Sequence, residues 1–418
     1  MAKAEIIKSS QLVKVTTDRL QLGMYVSELD RPWLGTPFLF QGFPITGDED
    51  LGRLQHICDY VFVDVQKSKP LSRGIKHRDI SNIKRTQYEN SIPVEQEVAR
   101  AYTTYRDTLS QIQSMLDDAT KRGIATPRVI KSNIKRCVES IIRNPNALIW
   151  LAHIKHKSEY ELEHALHVAI LAMAVGRQLG LPRQQLETLG MCGVLHDIGK
   201  TRINDKILNK TENLTDTDFE ALKSHVSLGR DMLLDDPLLP TEVVEAAYCH
   251  HERIDGRGYP EGRPAETLSF YTRIISIADS YDAMTSRRNH AASVSSAKAL
   301  KILYNSRGKQ FDRQLVVTFI QCVGLYPPGC LVEMNSGEAG VVIAADPNAR
   351  LLPKVALLRD RHKKPTQQTI IDLKKQSVAA GKIYQITRVL RDGSHGIWLE
   401  EFTHQNINLN ARNAILSP

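Results

Sequence analysis

No apolar run in this sequence is long enough to cross a bilayer. The longest, Val168 to Val175, is far short of the roughly 20 residues that a membrane helix needs. The opening MAKAEIIKSSQLVK has no apolar core of the kind that marks a secretory leader. A cytoplasmic protein with no membrane span is therefore expected. Cysteine is sparse and unpaired: Cys58, Cys137, Cys192, Cys249, Cys322 and Cys330 never form a C-x-x-C pair. That argues against a disulfide framework and against a thiolate zinc site, and leaves reduced thiols. Neither sign of charge dominates. The 55 basic and 47 acidic residues leave a net +8 spread along the chain. Such an excess suits small anionic ligands as readily as nucleic acid, and DNA is not expected as a partner. Internal repeats and long low-complexity tracts are absent, as is any receiver-type phosphorylation domain.

What is present fits two or three domains in 418 residues. Residues 1–65 read as a small α+β domain. Its β-branched runs LVKVTT, MYVSEL and YVFVDV are separated by turn signals at Gly35-Thr36-Pro37, Gly42 and Gly47-Asp48. Residues 66–93 are polar and basic and read as a linker. Connecting helices are expected over 94–146. The first runs from Val94 to about Arg122, with apolar positions Val94, Val98, Tyr105, Leu109, Ile112 and Leu116 and a cap at Gly123. Its stripe fits a bundle within the chain or pairing across a homodimer. Thr126-Pro127 reads as an N-cap followed by proline at the first helical position. The next helix, through Ile130, Ile134, Val138 and Ile141, stops at Asn144-Pro145. Residues 147–325 are helical nearly throughout. Residues 326–418 return to strands: CLVEM, GVVIAA, KVALL, IYQIT and GIWLEE. The expected fold is multidomain: a central all-α bundle, a small α+β N-terminal domain and a small β-rich C-terminal unit.

The chemistry concentrates between Met191 and Pro260. This stretch holds His196-Asp197, His225 and His250-His251, flanked by His164 upstream and Asp279 downstream. His164 shares a helix face with Val168, Leu171 and Val175, so it points inward. His196 and Asp197 end an apolar helix, where Asp197 would be a buried unpaired charge without a cation. Two adjacent imidazoles at His250-His251 suit one shared cation region when both are neutral. Five imidazoles and two carboxylates exceed what one four-coordinate zinc uses. They suit two ions bridged by one carboxylate, and nitrogen-rich donors favour iron, manganese, nickel or zinc over calcium or magnesium. Two ions about 3.5–4 Å apart can hold a bridging hydroxide and clamp both oxygens of an in-line phosphoryl displacement. Lys200, one helical turn beyond His196, could meet a phosphate or the leaving oxygen. Two rival motifs fail. Five residues separate Gly193 from Gly199 where a phosphate-binding P-loop has four, and Asp255 stands where a metalloprotease motif starting at His251 needs histidine.

The combination of HDIGK, SHVSLG, HHERIDGRGYP and ADSYDAMTS resembles the HD-GYP domain, a branch of the HD phosphohydrolases, over about residues 147 to 330. LQLGMYVSELDRPWLGTPFLFQGFPI resembles a small domain of unassigned function that precedes some members, and YPPGCLVEMNSGEAGVVI a strand-rich tail that follows them. The resemblance implies an HD-type helical bundle and a bacterial signalling phosphodiesterase. Such an enzyme hydrolyses cyclic di-GMP to linear pGpG, and on to GMP, by attack of a metal-bridging hydroxide. Carried over, the implied metal ligands are His164, His196, Asp197, His225, His250, His251 and Asp279, with Asp197 as the bridge. Asp197 and Lys200 are the implied catalytic residues. Lys200, Arg288, Gly256, Gly258 and Tyr259 are the implied substrate contacts, and Tyr259-Pro260 a docking surface for a diguanylate cyclase.

Three departures refine this expectation. Tyr160 replaces a glutamate that holds a third metal in some members, which favours two divalent ions, iron or manganese first, then nickel or zinc. His167 replaces an asparagine one turn along the same face and is expected to support a ligand or to fill the core, ahead of serving as an additional ligand. Asn289-His290-Ala291 follows Arg288 in place of Pro-Tyr-Arg/Lys, so one basic contact is missing. The rival reading is a cyclic di-GMP sensor or cyclase-docking module with little turnover.

Overall fold

The computed structural model describes residues 12–399 except 21–22, 34–35, 39, 65–66, 69–84, 124–125, 155–159, 209, 211, 213–214, 235, 237, 287–292, 347–348 and 376–383. The chain divides into two compact units, Met1–Arg78 with Tyr304–Gly308, and Asp79–Leu303 with Lys309–Pro418.

The first unit contains β1 (Leu12–Thr16), β2 (Tyr25–Leu29), β3 (Phe43–Pro44), α1 (Asp48–Ile57) and β4 (Tyr60–Asp64). The strands form an antiparallel sheet in the order β1-β4-β2-β3. Val26, Phe43, Leu54, Val61 and Val63 are buried in its core. In β4 the buried Val61 and Val63 alternate with half-buried Tyr60 and Phe62. That period of two fits a sheet with one covered face. The α+β expectation holds.

The second unit opens with α2 (Val94–Arg122), which ends at Gly123 with φ +70°, a left-handed cap that glycine adopts without strain. Its buried stripe runs through Val98, Ala101, Tyr105, Thr108, Ile112, Met115 and Ala119, while Leu109 and Leu116 are only partly covered. This face packs within the chain, on the helices that follow. Pro127 opens only a 3-10 turn, Pro127–Ile130, without a side-chain cap from Thr126. The α-helix proper, α3 (Lys131–Arg143), starts after it. Asn144 ends α3 and caps α4 (Pro145–Leu151) by accepting from the Asn146 N–H.

The bundle continues with α5 (Tyr160–Gln178), α6 (Arg183–Leu195), α7 (Asp205–Leu208), α8 (Asp216–Lys223), α9 (His225–Leu234), α10 (Thr241–Cys249), α11 (Phe270–Thr285), α12 (Ser296–Ser306) and α13 (Arg313–Val323). α5 is buried nearly all round, with Leu166, Val168, Ala169, Ile170, Ala172 and Met173 fully covered. A helix apolar on every side is a core helix, and α5 packs against α6, α11 and α13.

The C-terminal sheet holds β5 (Leu331–Met334), β6 (Ala339–Ala344), β7 (Lys354–Arg359), β8 (Pro365–Asp372) and β9 (Ile386–Val389), in the order β8-β7-β6-β5-β9, all antiparallel. Ile343, Ala356 and Ile370 from this sheet join Val98, Trp150 and Ile154 in one apolar cluster, so it seats on the bundle. Two expectations about the tail change. PTQQTIID forms an edge strand that its exposed polar first half concealed. GIWLEE forms no strand through Leu399: Ser394–Gly396 is a 3-10 turn, and Ile397 alone is fully buried. Among the described residues no helix is long and apolar enough to cross a membrane. All six cysteines are free thiols, five of them buried.

Candidate metal centre

Five helices of the bundle bring the seven expected ligands together. His164 lies in the first turns of α5 and His196-Asp197 at the end of α6. His225 opens α9, His250-His251 follow α10, and Asp279 lies on α11. Glycines set these approaches. A Cβ on Gly193 would stand 2.3 Å from the Ala169 Cα, so Gly193 lets α6 lie directly on α5. A Cβ on Gly199 would stand 2.0 Å from the His225 carbonyl oxygen and 2.5 Å from the Gly229 nitrogen. The glycines of HDIGK and SHVSLG therefore face one another. Their lack of side chains lets the turn after Asp197 sit against the start of α9.

Asp197 is the hub. Its Oδ1 is 3.3 Å from His225 Nε2 and 3.6 Å from His250 Nε2. Its Oδ2 is 3.3 Å from His196 Nε2 and 3.8 Å from His164 Nε2. Two donor groups result, Asp197-His225-His250-His251 and His164-His196-Asp197, each with ligand atoms within 4.8 Å of one another. Asp279 Oδ1 adds a carboxylate 3.2 Å from His164 Nε2 and 4.0 Å from His196 Nε2.

The far side of each ring is committed. Nδ1 of His196 donates to the Gly193 carbonyl at 2.8 Å, that of His250 to the Ala246 carbonyl at 3.0 Å, and that of His225 to the Leu222 carbonyl. A carbonyl can only accept, so each Nδ1 donates and Nε2 is the nitrogen left facing the carboxylates. In the neutral tautomer a lone pair would then face each carboxylate oxygen with no hydrogen between them. His196 Nε2 and Asp197 Oδ1 are accordingly buried without a hydrogen-bond partner. Such a burial is costly unless a cation accepts the lone pairs. The residues therefore fit metal ions.

The charges agree. Burial opposes ionisation of Asp197, yet Lys200 and His196 outweigh it and hold the carboxyl well below its usual range. Asp279 is likewise depressed against its burial, mainly by His164. Burial pushes His225 down to about 4, and burial together with His250 pushes His251 well down, so both rings are neutral donors. His164 differs. Burial lowers it, but the Asp279 and Asp282 carboxylates prevail and raise it to about 9. Burial also disfavours charge on Lys200, and Asp197 more than restores it.

Residues 147–315 match the HD domain family, residues 12–126 a domain of unknown function (DUF3391), and residues 331–390 a KOW domain associated with the HD domain. A cyclic di-GMP phosphodiesterase of Pseudomonas aeruginosa is 34% identical over 87% of this chain and 89% of its own length. The chain belongs to the HD-GYP family. The cyclic di-GMP phosphodiesterase response regulator RpfG of Xanthomonas campestris is 36% identical over 37% of this chain and 40% of its own. A solved HDG"Y"P protein from Bdellovibrio bacteriovorus superposes with a TM-score of 0.46 at 17% identity, covering 74% of this chain and 98% of its own.

In the HD-GYP loop Gly256 has φ +70°, and a Cβ on Gly258 would stand 2.4 Å from the Glu252 Cα and the Arg253 nitrogen. Both glycines shape the backbone. Tyr259 stacks on His251, with ring centroids 4.7 Å apart and planes at 26°. Lys223 Nζ stands 5.6 Å from the Tyr259 ring. Arg288 lies outside the described residues, as does the side chain of Tyr160.

Sequence reasoning gave three other groups no role here. Glu252 is buried and accepts from the backbone N–H groups of Glu261, Gly262 and Arg263 at 2.8, 3.0 and 3.0 Å, which pins the loop. Asp282 binds His164 Nδ1 at 2.7 Å. Its spacing was a signal, since three residues after Asp279 on a helix is the same face. Tyr105 touches His167, whose two ring nitrogens are engaged by Asp282 and Tyr105. His167 thus stands behind the ligands, as expected.

Proposed function

We propose that this chain is a phosphodiesterase that holds two divalent ions, iron or manganese by preference, and opens cyclic di-GMP to linear pGpG and onward to GMP. The supporting observation is the shared carboxylate, with two donor groups meeting at Asp197. His225, His250 and His251 would hold one ion, and His164 and His196, with Asp279, the other. Ions so placed supply an activated water and a positive clamp for the phosphoryl oxygens.

The chain's own residues do the rest. Lys200 keeps its proton at neutral pH, with its ammonium held by Asp197. There it neutralises the scissile phosphate and can deliver a proton to the departing ribose oxygen. Tyr259, fixed on His251, offers a flat side to a guanine at the mouth of the site. Glu252 keeps that tyrosine in place by holding the following backbone. Arg288 supplies a further phosphate contact. The Pseudomonas relative, a cyclic di-GMP phosphodiesterase aligned over most of both chains, supports the substrate.

The test is turnover of cyclic di-GMP by anaerobically prepared protein loaded separately with iron, manganese, nickel and zinc, with products resolved by chromatography. Linear pGpG followed by GMP is the expected course. Tight nucleotide binding without hydrolysis under every metal would replace the enzyme with a sensor.

A further inference from the structure

Behind His164 lies a buried chain of polar groups that reaches a distant part of the sequence. Asp282 takes His164 Nδ1 at 2.7 Å on one oxygen and His167 Nδ1 at 3.3 Å on the other. The Ser286 hydroxyl donates to the first of these oxygens at 3.2 Å. The far nitrogen of His167, Nε2, stands 2.7 Å from the Tyr105 hydroxyl on α2. Tyr105 is 6% exposed, His167 and Asp282 1% each, and His164 2%.

Donor counting fixes the direction of each bond. An ionised carboxylate only accepts, so His164 and His167 both donate from Nδ1. A neutral His167 with its hydrogen on Nδ1 has a lone pair on Nε2, and the Tyr105 O–H must donate to it. With an ion in place of the His164 Nε2 proton, this arrangement of hydrogens satisfies the chain and turns the His164 Nε2 lone pair toward the site shared with Asp197 and Asp279. The stacking of Tyr105 on His167, with planes at 25°, also holds the imidazole against rotation.

We propose that Tyr105 is a positioning residue of the metal centre, acting through His167 and Asp282 to fix the ring and tautomer of His164. This rests on the reading that the cluster holds metal. Tyr105 lies within residues 12–126, the match to the domain of unknown function, and outside the HD match at 147–315. The last helix of that region is thus part of the support of the HD centre. Tyr105 would otherwise pass for one more core residue on the α2 stripe, where a phenylalanine would serve as well. The hydroxyl, with its partner 62 positions away in sequence, is what separates the two roles.

The experiment uses the full chain, stripped of metal and titrated with cobalt(II) against a chromogenic chelator, alongside the melting temperature of the metal-free form. Tyr105→Phe removes only the hydroxyl. His167→Leu removes both hydrogen bonds, and His167→Asn keeps an N–H where Nδ1 stands. Loss of a group that orients a metal-bound histidine weakens metal binding by about 10–100-fold. Tyr105→Phe is expected at the low end of that range and His167→Leu at the high end, with His167→Asn binding more tightly than His167→Leu. The loss should fall on one of the two binding steps and change its cobalt absorption band. If Tyr105→Phe and His167→Leu bind cobalt as the parent does, whatever their melting temperatures, Tyr105 is core packing and the proposal is overturned. If the parent itself takes up no cobalt, the metal-centre reading falls first and this inference with it.

Discussion

Replacing Asp197 by asparagine keeps the shape of the hub and removes its charge. Four imidazole nitrogens lie 3.3–3.8 Å from its two oxygens. Cations held by those nitrogens would lie within about 4 Å of the lost charge. At an effective dielectric of about 20, that is roughly 4 kcal/mol per unit of cation charge. Relief of the carboxylate's own desolvation and the amide's remaining carbonyl offset much of this, so a net loss of about 3 kcal/mol, or about 10² in affinity, is a conservative expectation. The asparagine N–H₂ must also face lone pairs on one side of the pair of sites, so one ion should be lost before the other. Asp197→Asn is therefore expected to bind about one ion where the parent binds two. Its turnover of cyclic di-GMP should fall by at least about 10². Metal content, chelator competition and turnover are measured on the same preparation. An Asp197→Asn protein with full metal content and near-normal turnover would show that the carboxylate is not the bridge.

Gly199→Ala puts a methyl 2.0 Å from the His225 carbonyl oxygen, and forcing atoms into a packed site costs about 1–3 kcal/mol; a lower melting temperature with weakened metal binding is expected, and unaltered binding would refute the role of that contact. Glu252→Gln removes the charge that accepts three backbone N–H bonds and turns an amide donor toward one of them. It should cost about 2 kcal/mol of stability and raise KM while metal affinity holds, and parental KM and melting temperature would contradict this. Metal binding should release a proton from His164. Its folded value near 9 lies above the ordinary 6.5, so the ring is charged at neutral pH. Affinity should climb about tenfold per pH unit between about 7 and 9 and then level off, whereas His225, held near 4, is already neutral and adds no slope. A flat pH profile in chelator competition would show that no such proton is displaced.

Much of this fold is legible in the sequence because single residues carry the signals. The apolar stripe and Gly123 place α2 over Val94–Arg122, where the structure has it. The adjacent pairs His196-Asp197 and His250-His251, with His164 and His225, are residue types that an apolar core does not call for, and they meet around Asp197, with Asp279 beside His164. What stayed hidden depends on partners far away in the chain. Tyr105 satisfied the helix pattern, so nothing local revealed its hydroxyl's partner. Glu252 looked like part of a motif rather than the anchor of a loop, because its three donors are backbone groups that any sequence has. β8 was missed because an edge strand needs little apolar alternation. GIWLEE misled because its apolar residues suggested a strand where the chain turns around Gly393 and Gly396, both at positive φ.

Anomalous diffraction from a crystal of the manganese- or iron-loaded protein would reveal whether two ions share Asp197. Such sharing gives two peaks about 3.5–4 Å apart, one beside His225, His250 and His251 and the other beside His164 and His196, with the Asp197 carboxylate between them. A single peak, or two peaks with Asp197 bound to one alone, would contradict it.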